Sequence, residues 1–390
     1  MGPDWTVALM PGERLDCLLG RSGATVAMLA CGARCEPVPW QLDERDADGR
    51  LVLDGGSEPN RDDPPGMVDA NDELLWMVAD AGRRARPGEL PEAECRLEVT
   101  LRRGDEVAWV YLVSNPRPAP RSTRRYVRYD AETDRIETDR VAIGFAAPTA
   151  RLLALRGADG AFGGNLLDRL KVRASAWFLG LIPLGRDEDD IEHRFAAWRV
   201  GPIRALRREY QWVRLTSWLR TPIFETETLV TRDAMTLPVR LRLNYRPTTY
   251  FSDIEIVAVL DFRALDGWQV VTSGGATAVV GGAGGAIAGP ADWVALRGPD
   301  ATLVLELLVG ESLRSLAPTV VYRVGDAAQS PEDVPGERPG LGYALTAWSE
   351  IDRGEHWFAA RAYALPKDVD LGAFARARVD PLAIEVDRAR

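Results

Sequence analysis

Lysine and histidine are almost absent: Lys171 and Lys367 are the two lysines, and His193 and His356 the two histidines, among 390 residues. Two imidazoles far apart in sequence make no histidine-rich metal cage and leave few proton carriers that titrate near neutral pH. Basic charge rests on arginine along the whole chain, the pattern of a GC-rich coding bias rather than of one specialised surface. A phosphate loop, a nucleophile elbow and an HExxH helix are missing, and the glycines of 281–289 do not form a dinucleotide fingerprint. No nucleotide cofactor is therefore expected. Long apolar runs are missing too: the least polar stretch, Gly274 to Gly289, is a glycine loop rather than a transmembrane helix. The first twenty residues lack the basic, apolar and small-residue regions of a signal peptide.

Helical periodicity is scarce. Glu13 to Leu19 is ambiguous, Asp72 to Ala79 fits two turns capped by Asp69 or Asn71, and Leu371 to Arg378 fits two more. Doubly wound and TIM-barrel folds, which need a helix after nearly every strand, are excluded. What is present is alternation. Leu97, Val99 and Leu101, then Val107, Trp109, Tyr111 and Val113, alternate with polar residues on either side of a turn at 103–106, the pattern of a hairpin. Val239, Leu241, Leu243 and Tyr245 alternate with Arg240, Arg242, Asn244 and Arg246, one side core and one side wet. About a dozen such runs past residue 138 predict an all-β protein: a large antiparallel β-sandwich at 139–390, a smaller β-rich domain at 1–114, and a Pro/Arg-rich linker at 115–138.

The net charge of −10 has one source, since residues 36–80 hold 13 acidic side chains against 3 arginines. Such a balance argues against nucleic acid as a partner. The basic stretch with Arg117, Arg121, Arg124, Arg125 and Arg128 reads as a solvated linker. Calcium takes six to eight oxygens, and Glu44, Asp46, Asp48 and Gly49 reproduce the first half of a calcium loop. Gly55 stands where the closing glutamate of an EF-hand belongs, so the candidate is a loop site with Asp62, Asp69, Asn71 and Asp72 as further ligands. Cys17, Cys31, Cys35 and Cys95 lack zinc spacing and allow two disulfides, which favours a periplasmic or extracellular location.

Two phrases carry a resemblance. Val38-Pro39-Trp40-Gln41-Leu42-Asp43-Glu44-Arg45, continued at Asp69-Ala70-Asn71-Asp72-Glu73-Leu74, resembles the N-terminal signature of a family of uncharacterised bacterial β-rich proteins. Gly201-Pro202-Ile203-Arg204-Ala205 is similar to a strand-entry phrase of galactose-mutarotase-like large sandwiches. The second resemblance implies carbohydrate chemistry through a histidine with a carboxylate, and His193 or His356 would carry it. Each follows a glutamate, although neighbours along a strand face opposite ways. Glu225 and Glu227 share a strand face and suit pairing with Arg220 or Arg240.

Trp198, Tyr210, Trp212 and Trp218, with Arg208 and Arg214, offer ring faces edged by polar forks, which is what a sugar requires. The segment 174–184 is apolar on consecutive residues and reads as a buried strand end or a loop that meets a partner or a membrane surface. The function expected from these features is a non-catalytic binding or structural protein of the bacterial envelope, calcium-stabilised and carbohydrate-binding, with a carbohydrate or an envelope protein as partner. The alternatives are a carbohydrate-active lyase or epimerase on the same sandwich, and an accessory subunit of a membrane-associated complex.

Overall fold

The computed structural model describes residues 5–62, 64–146, 149–157, 159–216, 220–263, 265–282, 285–323 and 339–389. The chain forms two compact units: residues 1–128, 197–206 and 370–390 make the first, and 129–196 with 207–369 the second. This division differs from the expected boundaries because strand pairing is long-range. The last strand, Ala383–Arg388, runs antiparallel to Cys95–Arg103 and so returns the chain end to the first unit. The expected linker at 115–138 also contains strands, Val127–Asp130 and Arg135–Thr138.

The first unit is a small sandwich. One sheet has three strands in the order Val7–Pro11, Glu73–Met77, Trp40–Asp43. The other has five: Ala383–Arg388, Cys95–Arg103, Glu106–Ser114, Val26–Cys31 and Cys35–Pro37. Met10, Trp40 and Trp76 pack against Met28, Val99 and Leu112 between them. Leu29, Tyr111 and Val113 form a second apolar layer on the far side of the five-stranded sheet. A strand covered on both faces loses its alternation, which is why Val26–Cys31 is apolar at every position. The same cause corrects the helix expected at 72–79. Glu73–Met77 is the central strand of its sheet, with Leu74 through Met77 buried, and only a 3-10 turn, Val78–Asp80, follows. The helix expected near 371–378 does form, over Leu371–Val379, with the Asp370 side chain accepting from the Gly372 N–H at its start.

The second unit is the large antiparallel sandwich that the alternation predicts. One layer orders the strands Ile182–Arg186, Leu167–Phe178, Phe251–Phe262, Gly340–Leu345, Thr319–Arg323 and Ile287–Pro290. The other runs from Thr277–Val279 through Gln269–Thr272, Trp293–Arg297, Ala301–Val309, Gly354–Pro366, Ala234–Leu243 and Phe224–Thr231 to Arg204–Val213 and Ile191–Val200. Leu243, Leu307 and Phe358 from the larger layer meet Ile254, Ile256 and Leu345 from the smaller. The Tyr343 hydroxyl crosses the core to donate to the Leu305 carbonyl at 3.0 Å. Among the described residues no helix is long and apolar enough to cross a membrane.

Candidate functional site

Three phrases singled out in the sequence meet inside the first unit. The Gln41 amide accepts the backbone N–H groups of Ile203 (3.0 Å) and Arg204 (2.8 Å), and donates to Asp43 Oδ1 (2.7 Å) and the Arg204 carbonyl (3.1 Å). A side chain at Gly201 would place its Cβ 2.0 Å from Gln41 Oε1, so any larger residue there would push the Gln41 amide out of these hydrogen bonds. Arg204 reaches Asp43 Oδ2 through Nε at 2.8 Å and Glu73 Oε2 through Nη2 at 2.7 Å, and Glu73 also takes Arg45. Arg199 donates to Glu44 Oε2 (3.2 Å) and to the Leu42 carbonyl (3.1 Å). Burial pushes the Glu73 carboxyl up, but Arg204 and Arg45 more than offset it and hold the group below its ordinary value. Three arginines thus face Asp43, Glu44 and Glu73. The charges cancel within the network, which makes it a clamp rather than a reactive centre.

The seven candidate calcium ligands divide. Asp46 Oδ1 accepts the N–H groups of Asp48 (3.1 Å) and Arg50 (2.9 Å), while its Oδ2 accepts Asn60 Nδ2 at 2.7 Å. Asn71 donates to the carbonyls of Arg45 and Asp46 at 3.4 Å. These residues hold turns. Glu44, Asp62, Asp69 and Asp72 lie close enough to repel. Burial first, then the charges of Asp62 and Glu44, raise Asp69. Burial likewise dominates at Asp72 and pushes it to about 6, against hydrogen bonds donated by the Asp69 and Arg45 N–H groups. Among the described residues no three of the six carboxylate candidates, Glu44, Asp46, Asp48, Asp62, Asp69 and Asp72, bring ligand oxygens within 4.8 Å of one another. Asp63, beside Asp62, lies outside the described residues.

The predicted aromatic set is divided as well. Trp198 belongs to the first unit, where its indole lies on Gly55; a Cβ there would stand 2.3 Å from the ring. Trp218 lies outside the described residues. Arg208, Tyr210 and Trp212 alternate along one strand and so share one face of the large layer, on which Arg208 is fully buried and the two rings are half-buried. Arg208 pairs with Glu227 at 2.5 Å and Glu225 at 3.6 Å, so those glutamates take Arg208 rather than the expected Arg220 or Arg240. Arg194 lies 5.0 Å over the Tyr210 ring and Arg220 lies 5.8 Å over that of Trp212. Trp212 Nε1 donates to Glu192 Oε2 at 2.5 Å, and Arg214 pairs with Asp190 at 3.1 Å. These two ring faces are already occupied by guanidinium groups.

A third ring on the same face is open. Strand register places Trp357 opposite Arg240 and Glu355 opposite Arg242, on the side of the sheet that carries Glu225 and Glu227. Trp357 is 48% exposed, and Arg240, Arg242 and Glu355 are exposed around it. Its indole rests on Gly310, where a Cβ would lie 2.6 Å from Nε1. Among the described residues the Arg240 and Arg242 side chains have no ion-pair or hydrogen-bond partner. The available signal for this trio was the wet side of the Val239–Tyr245 alternation, but nothing in the sequence placed Trp357 beside it.

The histidines do not join this face. His356 is buried, with Nδ1 2.9 Å from the Ser312 hydroxyl and Nε2 2.9 Å from the Asp352 carbonyl. A carbonyl only accepts, so Nε2 carries the proton, Nδ1 accepts from Ser312, and neither nitrogen is left for a substrate. His193 sits between Glu192 and Arg194, which face Trp212 and Tyr210, and therefore points to the opposite side of the strand. Lys171, one of the two lysines, is buried against Asp261 at 2.7 Å beside the buried pair Arg169 and Glu188 at 3.0 Å. A cavity between the layers, lined by Ile143, Leu167, Met235, Leu260, Leu303 and Leu305, holds about 40 Å³ and is apolar. Ligand pockets measure about 300–1,000 Å³.

No protein-family model matches the chain, and no curated protein sequence matches it. The fold is similar to that of an α-mannosidase from Enterococcus faecalis V583, with a TM-score of 0.50, 11% identity, and coverage of 98% of this chain and 44% of that one. A second structure, a protein in the glycosyl hydrolase family 38 from Enterococcus faecalis, gives a TM-score of 0.45, 11% identity, and coverage of 90% and 42%. The chain spans less than half the length of each. At this identity the likeness concerns the arrangement of strands.

Proposed function

We propose that the protein is a non-catalytic carbohydrate-binding protein of the bacterial envelope, and that Trp357 with Arg240 and Arg242 forms its sugar-binding face. The observation that carries this reading is an exposed indole, packed against Gly310, beside two arginines whose side chains have no partners among the described residues. A sugar ring stacks its apolar face on an indole while guanidinium forks take its hydroxyl or acid oxygens. The cysteine pairs Cys17–Cys95 and Cys31–Cys35 support an oxidising compartment. The α-mannosidase likeness makes mannosides the first probes. The non-catalytic reading is favoured over a lyase or epimerase because both nitrogens of His356 are engaged and His193 faces away from the open ring.

Titration of soluble mannan and of methyl α-mannoside into the protein, followed by tryptophan fluorescence and calorimetry, tests the proposal. Binding is expected, with about a tenfold or greater loss in Trp357→Ala and in Arg240→Ala/Arg242→Ala. Binding that Trp357→Ala leaves intact would overturn the site. Failure of mannan and an acidic polysaccharide alike to bind would overturn the function.

A further inference from the structure

One end of the second unit collects half of the large apolar side chains exposed on the described molecule: Trp177, Leu179, Leu181, Ile182, Tyr245 and Tyr250. The hairpin Leu167–Phe178/Ile182–Arg186 ends there, and Leu179 N–H donates to the Tyr250 carbonyl at 2.7 Å, joining the two segments. Tyr250 packs edge-on to Tyr245 at 5.6 Å, and Phe178 lies 5.7 Å from Phe251. In a chain that is 27% charged, the twelve residues from Ala174 to Gly185 carry no charge.

The turn is strained where it is most apolar. Leu179 and Gly180 have φ of 50° and 67°, and the Leu181 N–H closes the turn on the Phe178 carbonyl at 3.1 Å. Both central residues of this turn have positive φ, a region that glycine and asparagine adopt readily and leucine does not. Leucine in this region costs about 1–2 kcal/mol. Leu179 is 59% exposed and Leu181 79% exposed, so burial within the chain does not offset that cost. A residue that is both strained and solvent-facing points to a contact outside the fold.

We propose that this hairpin end inserts into the interface of a phospholipid bilayer. The composition of this end fits lipid. Leu179 and Leu181 form the turn and Ile182 follows it, Tyr250 lies across from Leu179 with Tyr245 packed on it, and Trp177 stands one step back along the hairpin, so apolar side chains and amphipathic rings are exposed together. Arg186 is the next charge along the hairpin. Its guanidinium donates to the Gly185 and Leu215 carbonyls and has no carboxylate partner among the described residues. Five residues of strand separate Leu181 from Arg186, about 16 Å. Apolar insertion of about 10 Å plus a headgroup layer of about 6 Å brings that unneutralised cation to the lipid phosphates.

Co-sedimentation of the full chain with phosphatidylcholine/phosphatidylglycerol vesicles, together with the Trp177 emission shift, tests the proposal. The protein is expected to bind, and Leu181→Asp to lower the partition coefficient about tenfold. Leu179→Asn relieves the strained position, so it should weaken vesicle binding while keeping or raising the melting temperature. Absence of binding by the unaltered chain, or equal binding by Leu181→Asp, would overturn the proposal. So would sedimentation velocity showing a dimer in the absence of lipid that Leu181→Asp dissociates, because a second copy would then be the occupant.

Discussion

Arg204 offers the sharpest test of how the first unit is held together. The Asp43 side chain is 1% exposed and takes two contacts from Arg204, at 2.6 and 2.8 Å, while Glu73 takes a third at 2.7 Å. Arg204→Met keeps most of the volume and removes the charge. Glu73 retains Arg45, so Asp43 is the orphan: it keeps one donor, Gln41 Nε2 at 2.7 Å, with Arg199 at 4.0 Å. Leaving a buried charge unpaired costs about 3–5 kcal/mol, and the surviving Gln41 contact puts the expected loss near about 3 kcal/mol. With a urea slope of about 2 kcal/mol/M, the midpoint should fall by about 1.5 M in the transition reported by Trp40 and Trp76 fluorescence. Adding Asp43→Leu should recover about half of that loss, because the penalty lies in the stranded carboxylate rather than in a missing attraction. A loss below about 1 kcal/mol for Arg204→Met, or a double variant no better than the single, would refute the clamp.

Two further predictions concern the same unit. Cys17–Cys95 closes a 78-residue separation and Cys31–Cys35 a separation of 4, so chain entropy assigns them about 4.5 and about 2 kcal/mol. Serine pairs at the two sites should lower the urea midpoint in that order, and the reverse order would refute the assignment. Asp72, with a native value of about 6 against an ordinary 3.8, holds in the folded state a proton that the unfolded chain releases. Its contribution is therefore full below about pH 4 and is lost as pH rises through 6, by at most about 3 kcal/mol. The stability difference between the unaltered chain and Asp72→Asn should fall over that range, and a difference that rises would refute burial as the dominant cause. The same samples test the calcium expectation: millimolar calcium should add stability at pH 7 and little at pH 4 if these carboxylates bind it.

Alternation along single strands is a local property, and at Val239–Leu243 or Cys95–Ser114 it determined strand, face and hairpin before any partner was known. The turn residues and the scarcity of helix periods likewise fixed the all-β class without reference to distant contacts. Burial on both faces erased that signal at Glu73–Met77, where consecutive apolar residues imitate a helix until two neighbouring strands are in place. The acidic run from 36 to 80 announced charge but not its counterparts, since Arg199 and Arg204 arrive from more than 100 residues away. Trp357 was one aromatic among 12 tryptophans until the register with Arg240 and the bare Cα of Gly310 left its ring open. Periodicity records which way each side chain faces, whereas pairing across long loops decides what it meets, and only the folded chain contains the second kind of information.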